Sequence, residues 1–328
     1  MSLSTINTAF KYFLFEARKL DGTQYTADTV HGLFTALQSG LRRKDINLFE
    51  DQQFEESRTC LDALMKELSK KGLGSSARKK TETISMDVEE RLWSSGSLGE
   101  DDPRQLVDTV LYLTGLHFAL RGGREHRAPR LFSNPQITGP HTDDNGRKYL
   151  LSTEDASKTN HGGLKHRKLV LKHVRAYENT DNPKRCFVRL FEKYTLCKPG
   201  EHTEYFYFTP RRTRTSKDWY TANAICHYTL QVTVKRLCKT SVIEDMKTSH
   251  SLRATAATRL YQGDVDEQMI CEITGHRSDA VRNYKRTSDN QKATVSDILS
   301  MSKKMNLPSR EEADPKRADD QRPEDKLN

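Results

Sequence analysis

Three amphipathic stripes follow one another at the start of the chain. They occupy residues 6–17, 30–41 and 54–68, and in each the apolar residues recur every three or four positions. Residues with this spacing lie on one side of an α-helix, so each stripe predicts a helix with one apolar side. Gly72 follows the third stripe in the position of a helix C-terminal cap. Residues 1–74 are therefore predicted to form a helical domain.

The apolar periodicity stops after residue 74. The stretch KGLGSSARKKTET is polar and basic and contains glycine and serine, a composition typical of linkers. We therefore assign a basic linker to residues 75–84 and a second domain to residues 85–306. Residues 307–328 are highly charged with almost no apolar side chains, which predicts a disordered tail.

The second domain combines helical and strand patterns. Helices are predicted for MDVEERLWSSG, PRQLVDTVLYLTGLHFALRGG, KRCFVRLFEKYTL and TANAICHYTLQVTVKRLCK. Strands are predicted for RKYLLSTED and KLVLKHVRAYE, which the turn residues SKTNHGG join into a β-hairpin, and for the aromatic EYFYFTP. We expect a mixed α+β fold, in which the helical N-terminal domain precedes a mainly helical domain with one small antiparallel sheet.

The stretch SHSLRATAATRLYQG predicts a helix that begins with a pair of cationic side chains. Ser249 is the predicted N-terminal cap of this helix. His250 and Arg253 are three positions apart, so they lie next to each other on one side of the helix. A second helix follows, with Asp264 and Glu267 at the spacing of a capping box.

The stretch GHRSDAVRNYKR comes directly after this second helix. Gly275 is its predicted end, and His276 lies in the turn that follows. Ser278 is the predicted cap of a third, short helix, with Tyr284 about two turns along it. A lone tyrosine on a helix usually packs against a core. The combined order His-x-x-Arg, Gly-His and Tyr is much harder to obtain by chance than any one member.

The composition favours a polyanionic partner. Charged residues make up 30% of the 328 residues, and the net charge is +9 with a pI near 9.1. No apolar run has the length of a membrane span, the N-terminus lacks a signal-peptide pattern, and the six cysteines lack a zinc-binding spacing. We expect an intracellular protein, cytoplasmic or nuclear, with reduced cysteines and no membrane, metal or small-molecule substrate.

The order His-x-x-Arg, Gly-His and Tyr resembles the tyrosine recombinases, the integrases and site-specific recombinases that break DNA through a phosphotyrosine. More narrowly, KKGLGSSARKKTETISMDVEERLWSSGSLG and LRGGREHR resemble the Crypton group of eukaryotic DNA transposons and the related domains of zinc-finger MYM-type proteins. The resemblance covers about residues 10–300. It implies the tyrosine recombinase fold, with a DNA core-binding domain at residues 1–74 and the catalytic domain at residues 85–306.

The resemblance also implies a set of catalytic side chains. They are Tyr284 as the nucleophile, with Arg121, Arg253, His250, His276 and Lys158. The family's first arginine falls on Arg121 or, alternatively, on Arg124. In much of the family a glutamate follows this arginine by three residues, whereas Glu125 follows Arg121 by four. The step from His276 to Tyr284 is one residue shorter than the commonest family spacing.

The family's lysine lies in a β-hairpin turn. Lys158 in EDASKTNHGG matches this context, with Lys165 and Lys168 as alternatives, and each of the three can instead be a solvated hairpin residue.

These residue types suit the cleavage of a phosphodiester. Two arginines offer fixed N–H donors to the nonbridging oxygens, and a lysine can protonate the leaving 5′ oxygen. A free tyrosine, with a pKa of about 10, is roughly 0.1% ionised at pH 7, so cations and a base must activate it. The tyrosine ester conserves the bond energy, so the implied reaction needs neither a metal nor another cofactor.

Basic side chains occur in both predicted domains and in the linker. The candidate DNA-binding residues are Arg42, Arg43, Lys79, Lys80, Arg211, Arg212, Arg214 and Lys217. If they contact phosphates of double-stranded DNA, the affinity falls steeply with salt; the alternative is that they are solvated and contact nothing.

The stretch DNQKATVSDILSMSKKM predicts a last helix with Val295, Ile298 and Leu299 on one side. In the family such a helix docks on a neighbouring protomer, which implies a homo-oligomer on DNA; packing on its own domain is the alternative. The leading hypothesis is a Crypton-type DNA recombinase. A catalytically silent DNA-binding or transcription-regulatory protein and a basic protein-interaction scaffold are the other two.

Overall fold

In a computed structural model of the chain, the described residues are 2–74, 77, 81–154, 172–199, 204–212, 219–244, 247–276 and 279–300. The chain divides into two compact units, Met1–Glu82 and Thr83–Asn328. The division falls within residues 75–84, the predicted linker. Several predictions lie outside the described residues: the tail at 307–328, and Lys79, Lys80, Lys158, Lys165, Lys168, Arg214, Lys217 and Ser278.

The first unit contains three helices: α1 (Leu3–Glu16), α2 (Ala27–Leu41) and α3 (Glu55–Leu68). Ser2 and Thr26 cap the first two, because their hydroxyls accept hydrogen bonds from the amides of Thr5 and Thr29. The apolar stripes meet in one core formed by Phe10, Leu14, Ala27, Val30, Phe34, Leu48, Phe54, Leu61, Leu64 and Leu68. Each predicted stripe is a helix, so the helical prediction for this region is confirmed.

The second unit is built around a buried helix. Its helices are α4 (Met86–Ser94), α5 (Pro103–His117), α6 (Gly123–Arg127), α7 (Phe187–Leu196), α8 (His227–Thr240), α9 (Ser249–Gln262), α10 (Glu267–Thr274) and α11 (Asp289–Leu299). All residues of α5 from 106 to 115 are buried. Gly115 lets α9 approach α5 closely, since a Cβ atom there would lie 2.5 Å from Cδ1 of Leu252. This contact places the start of α9 beside the loop that leaves α5.

The described strands form two small antiparallel sheets. The first has the order β1 (Ile137–Thr142), β2 (Lys148–Thr153) and β3 (His173–Tyr177), and the second pairs β4 (Phe208–Pro210) with β5 (Tyr220–Ala224). The predicted hairpin is therefore confirmed as β2 and β3, and the mixed α+β fold class is confirmed with two sheets instead of one.

The second sheet corrects a helix prediction. Residues 220–224 form β5, and α8 begins only at His227. The hydroxyl of Tyr220 donates to the carbonyl of Pro103 at 2.9 Å, and its ring packs 5.2 Å from that of Tyr194. These contacts and the pairing with β4 hold the segment extended, which its local sequence pattern does not reveal.

The caps of α9 and α10 also differ from the predictions. Thr248, not Ser249, is the N-cap of α9, since it is extended and forms a capping box with Ser251. Asp266, not Asp264, caps α10, with its carboxylate accepting from the Gln268 amide at 2.7 Å. The predicted short helix before Tyr284 is a 3₁₀ turn at Asp279–Asn283. Within the described ranges, none of the helices combines the length and apolar character needed to span a bilayer.

Candidate active site

The first turn of α9 and the loop after α5 face each other across one polar site. His250 is half-buried there, and its Nδ1 lies 3.1 Å from the carbonyl oxygen of Arg121. A carbonyl only accepts, so Nδ1 carries the proton and donates. In neutral His250 the other ring nitrogen, Nε2, is then an acceptor, and it lies 3.0 Å from Oη of Tyr284. The hydroxyl of Tyr284 therefore donates to His250.

The environment keeps His250 in this neutral form. Burial, with the positive charges of Arg253 and Arg121, lowers the pKa of His250 from its usual value of 6.5. A neutral imidazole that accepts a hydrogen bond from a hydroxyl has the geometry of a general base.

Arg253 is the most deeply buried cation of the site, with 3% of its surface exposed. One terminal nitrogen, Nη1, donates to the Ala119 carbonyl at 2.8 Å, and Nη2 lies 3.4 Å from Nε2 of His276. Its Nε is buried and has no hydrogen-bond partner among the residues that the structure describes. Burial and the nearby Arg121 lower the pKa of Arg253 to about 10, so it remains charged at pH 7. A buried, charged donor without a partner is suited to an anionic ligand.

Arg121 lies in the loop between α5 and α6, where Glu125 of α6 holds it. The Glu125 carboxylate accepts from the Arg121 amide at 2.6 Å and from its Nη1 at 3.2 Å. Arg121 is half-buried, and its positive charge lowers the pKa values of both Arg253 and His250. Arg124 lies within α6, and its side chain is outside the described part of the structure. The structure places Arg121 beside His250 and Arg253, and the choice between Arg121 and Arg124 stays a prediction.

The turn after α10 returns His276 toward α9. Gly275 has φ +68 and ψ 28, a left-handed conformation that glycine adopts without a Cβ penalty. Nδ1 of His276 lies 2.7 Å from the hydroxyl oxygen of Thr274. Burial and the surrounding cations Arg253, Arg121 and Lys172, with His250, lower the pKa of His276 to about 4, so it is neutral at pH 7.

Tyr284 follows the 3₁₀ turn and reaches both histidines. Its ring centroid lies 5.8 Å from that of His250 and 5.1 Å from that of His276. Thr258 on α9 donates to its backbone carbonyl at 2.6 Å, and its own amide donates to Val281 at 2.9 Å. The shortened step from His276 to Tyr284 is thus compatible with close approach of the tyrosine to the site.

Lys172 is a site residue that the sequence analysis missed. It lies directly before β3, at the end of the same hairpin loop that contains Lys158, and its Nζ donates to the Phe118 carbonyl at 2.7 Å. Burial and the nearby Arg253 lower the pKa of Lys172 to about 8. The signal available in the sequence was the predicted hairpin, in which Lys172 is the lysine directly before β3.

Other predicted residues lie on the surface. Arg42 and Arg43 are exposed in a 3₁₀ turn at the end of α2, and Arg211 and Arg212 are exposed just after β4. Nε of Arg211 donates to the Tyr220 carbonyl at 3.1 Å. Across the ranges that the structure describes, no cluster of three or more His, Cys, Asp or Glu side chains could hold a metal ion.

The last helix, α11, buries none of its residues. Its apolar side chains Val295, Ile298 and Leu299 are all exposed. The sequence left two alternatives for this helix, docking on a neighbouring protomer and packing on its own domain. Among the described residues, these three side chains do not pack on their own domain.

Two family models match the chain. Residues 83–239 match a domain of unknown function (DUF3504), and residues 189–291 match the phage integrase family. The second match contains His250, Arg253, His276 and Tyr284.

Curated relatives match over most of the chain. It is 26% identical over 260 residues to zinc finger MYM-type protein 2 of Homo sapiens, covering 73% of this chain and 18% of that protein. It is 23% identical over 264 residues to the uncharacterized protein KIAA1958 of Homo sapiens, and the match covers 77% of this chain and 36% of that protein. The chain thus spans about a fifth to a third of the length of these relatives.

Among solved structures, the XerH site-specific recombinase bound to palindromic difH substrate is similar with a TM-score of 0.47 and 14% identity. The match covers 91% of this chain and 78% of that one. The resemblance to zinc-finger MYM-type proteins is confirmed by the relatives, and the resemblance to tyrosine recombinases by the family match. The match to the phage integrase family, the tyrosine recombinases, is to residues 189–291 of the chain.

Proposed function

We propose that the protein breaks and rejoins DNA strands through a covalent 3′-phosphotyrosine at Tyr284. The observation that carries this proposal is the hydrogen bond from the Tyr284 hydroxyl to Nε2 of neutral His250. A tyrosine that only packs against a core needs no unprotonated base at its hydroxyl. The match of residues 189–291 to the phage integrase family supports the same reaction class.

The reaction begins with the transfer of the Tyr284 proton to His250. Oη of Tyr284 attacks the phosphorus, the bond from phosphorus to the 5′ oxygen breaks, and the DNA 3′ phosphate becomes esterified to the tyrosine. His250 is suited to take the proton because its Nδ1 stays bound to the Arg121 carbonyl throughout.

Negative charge gathers on the nonbridging oxygens as the fifth bond to phosphorus forms. Arg253 and Arg121 supply donors to these oxygens, and the unpartnered Nε of Arg253 is a ready donor. A charge-assisted hydrogen bond contributes about 1.5–3 kcal/mol, and more where it tightens in the transition state. The buried position of Arg253 strengthens this effect because little water competes for the charge.

The leaving 5′ oxygen takes a proton from a lysine of the β2–β3 hairpin. Lys172 is charged at pH 7 with a pKa of about 8, so it releases a proton more readily than an ordinary lysine. Lys158 from the same hairpin loop is the other candidate. Rejoining reverses the sequence, with a 5′ hydroxyl attacking the tyrosine ester, and the ester conserves the energy of the broken bond. No further cofactor takes part in these steps.

Double-stranded DNA is the proposed partner, with residues 1–74 as the core-binding domain and residues 85–306 as the catalytic domain. The net charge of +9 supports this partner. The exposed apolar side of α11 supports a homo-oligomer on DNA in which this helix docks on a neighbour. The finer type that we propose is a Crypton-type recombinase derived from a transposable element and acting on DNA in the nucleus, and the sequence resemblance of LRGGREHR and of the basic stretch before it supports this type.

Covalent trapping tests the proposed reaction. Wild-type protein is incubated with a pool of nicked duplexes, from which the short fragment with the free 5′ hydroxyl escapes after cleavage, and the products are denatured. We expect a protein–DNA adduct that Tyr284→Phe abolishes. Tyr261→Phe is the matched control, because Tyr261 packs against the same apolar cluster as Tyr284 and its ring faces Lys285. An adduct that survives Tyr284→Phe would contradict the assignment.

A catalytically silent DNA-binding or transcription-regulatory protein is the second candidate function. The observation that favours it is the similarity to zinc finger MYM-type protein 2, of which this chain covers 18%. This candidate predicts that DNA binds without forming an adduct, and that Arg253→Ala changes neither DNA affinity nor cellular function. A gel shift at moderate salt, run beside the trapping experiment, separates it from a protein that binds no DNA at all.

A further inference from the structure

Thr274 is the last residue of α10 and lies two positions before His276. Its side chain is fully buried, with 0% of its surface exposed. Its hydroxyl oxygen lies 2.6 Å from the Ile270 carbonyl and 2.7 Å from Nδ1 of His276. A hydroxyl has one proton, so it donates to one of these two atoms only.

The contact made by the other nitrogen of His276 identifies which atom receives that proton. Nε2 lies 3.4 Å from Nη2 of Arg253, and a guanidinium donates hydrogen bonds but cannot accept them. The contact is favourable only when Nε2 has a free lone pair. In a neutral imidazole the ring proton is then on Nδ1, so Nδ1–H donates to Thr274 and the Thr274 hydroxyl donates to the Ile270 carbonyl.

We propose that Thr274 is a positioning residue that fixes the ring of His276 in the Nδ1–H tautomer, with Nε2 accepting from Arg253. This inference rests on the proposed function in one respect: the tautomer matters for cleavage because it aligns Arg253. His250 has the same arrangement, with Nδ1–H bound to a protein acceptor and Nε2 facing the site. The two histidines thus present lone pairs, not protons, before DNA binds.

Two chemical consequences follow from this arrangement. His276 cannot donate to a phosphate oxygen in the free protein, because its only ring proton is bound to Thr274. When a phosphate accepts the Nη2–H of Arg253, the lone pair of Nε2 is free to take up a proton from water, and the resulting imidazolium donates to the same phosphate. Thr274 stabilises this form as well, since Nδ1–H still donates to it.

The charged and titratable groups around His276 come from several elements. Arg253 and His250 approach from α9, Arg121 from the loop after α5, Lys172 from the start of β3, and the Tyr284 ring lies 5.1 Å away. Among these groups the cations oppose a second proton on His276, which agrees with its pKa of about 4. The free protein therefore holds the neutral ring at pH 7.

The direct test is a nitrogen NMR measurement on the free, full-length chain. Long-range ¹H–¹⁵N correlation at pH 7.5, with ¹⁵N-labelled histidine, distinguishes protonated from unprotonated ring nitrogens. The chain has 11 histidines, so the His276 signals are assigned by their loss in His276→Gln. We expect Nδ1 of His276 to be protonated and Nε2 to be unprotonated. The opposite tautomer in the wild-type protein would overturn the proposal.

Variants at Thr274 test whether the hydroxyl is the cause. In Thr274→Val the hydroxyl is absent, and we expect His276 to leave the pure Nδ1–H state, whereas Thr274→Ser should keep it. Thr233→Val is the matched control, because Thr233 is also buried and its hydroxyl also donates to a carbonyl four residues earlier, at 2.8 Å. A wild-type His276 spectrum in folded Thr274→Val would contradict the proposal.

The rate of adduct formation gives a second measurement. We expect Thr274→Val to slow it by more than about tenfold, a part of the 10²–10⁴ that a positioned acid or base typically contributes, and Thr274→Ser to restore it. The NMR result needs neither DNA nor catalysis, so its failure is distinguishable from a failure of the proposed function. Equal adduct rates in Thr274→Val and wild-type protein would refute the link between the tautomer and cleavage.

Discussion

His250 and Tyr284 are 34 residues apart in sequence, and Nε2 of the histidine lies 3.0 Å from the hydroxyl oxygen of the tyrosine. The carbonyl of Arg121 fixes which histidine nitrogen faces the tyrosine. The nucleophile thus comes from the 3₁₀ turn before Tyr284, the base from α9, and the group that orients the base from the loop after α5.

The first prediction concerns the base. We expect His250→Gln to slow adduct formation by about 10²–10³, within the range of a general base, while DNA affinity stays within about twofold. The measurement is a single-turnover trapping time course beside a binding titration. His173→Gln is the control, since His173 is exposed on β3. A full-rate His250→Gln protein would remove the base role from His250.

The second prediction concerns the backbone of the nucleophile. Thr258 donates to the Tyr284 carbonyl at 2.6 Å and is buried. We expect Thr258→Val to lower the free energy of unfolding by about 1 kcal/mol, because one hydrogen bond is lost. We also expect slower adduct formation, because this bond holds the backbone of Tyr284 in place. Denaturant unfolding and trapping measure the two effects. Thr258→Ser keeps the hydroxyl and should behave as wild type; if it fails equally, the hydrogen bond is not the cause.

The third prediction is the pH dependence of adduct formation. His250 must be unprotonated to accept a proton, and its lowered pKa places the acidic loss of rate below pH 6.5. Lys172 must be protonated to donate one, so the rate falls as the pH rises through about 8. A pH series of single-turnover rates at subsaturating DNA, which report the groups of the free protein, should be bell-shaped. A rate that still rises between pH 8 and 10 would exclude Lys172 as the acid.

The fourth prediction separates the two lysines of the hairpin. In the variant that lacks the general acid, the cleavage rate of an ordinary substrate should fall by a factor of about 10²–10⁴. A substrate with sulfur at the bridging 5′ position should still be cleaved at the wild-type rate. Sulfur leaves without protonation, because a thiol has a pKa of about 8.5. We expect this rescue for Lys172→Ala and not for Lys158→Ala. Rescue of Lys158→Ala alone would return the role to Lys158.

The fifth prediction concerns DNA affinity. If Arg42 and Arg43 each contact a phosphate, the double change to Gln should reduce the slope of log affinity against log salt by about 2. Fluorescence anisotropy between low and moderate salt measures the slope. Lys66→Gln is the control, since Lys66 is exposed on α3 but paired with Asp62 at 2.6 Å. An unchanged slope would show that both arginines are solvated.

The sequence by itself determined most helices and pointed to His250, Arg253, His276 and Tyr284 as candidate site residues. Apolar spacing of three and four residues locates α1, α2 and α3, and the same local rule puts His250 beside Arg253. The alternating strands with turn residues between them locate β2 and β3. These features depend on residues near each other in the chain, so a local pattern is sufficient to reveal them.

Tertiary contacts decided the remainder. β5 is a strand because Tyr220 is buried against Tyr194 and Pro103, although its residues continue a helical pattern. Lys172 is a site residue because the hairpin returns beside the loop after α5, where burial lowers its pKa. The protonation of His250 was set by a carbonyl 129 residues away. Hydrogen-bond partners and desolvation at such separations arise only when the chain is folded, and they decide which nitrogen holds a proton.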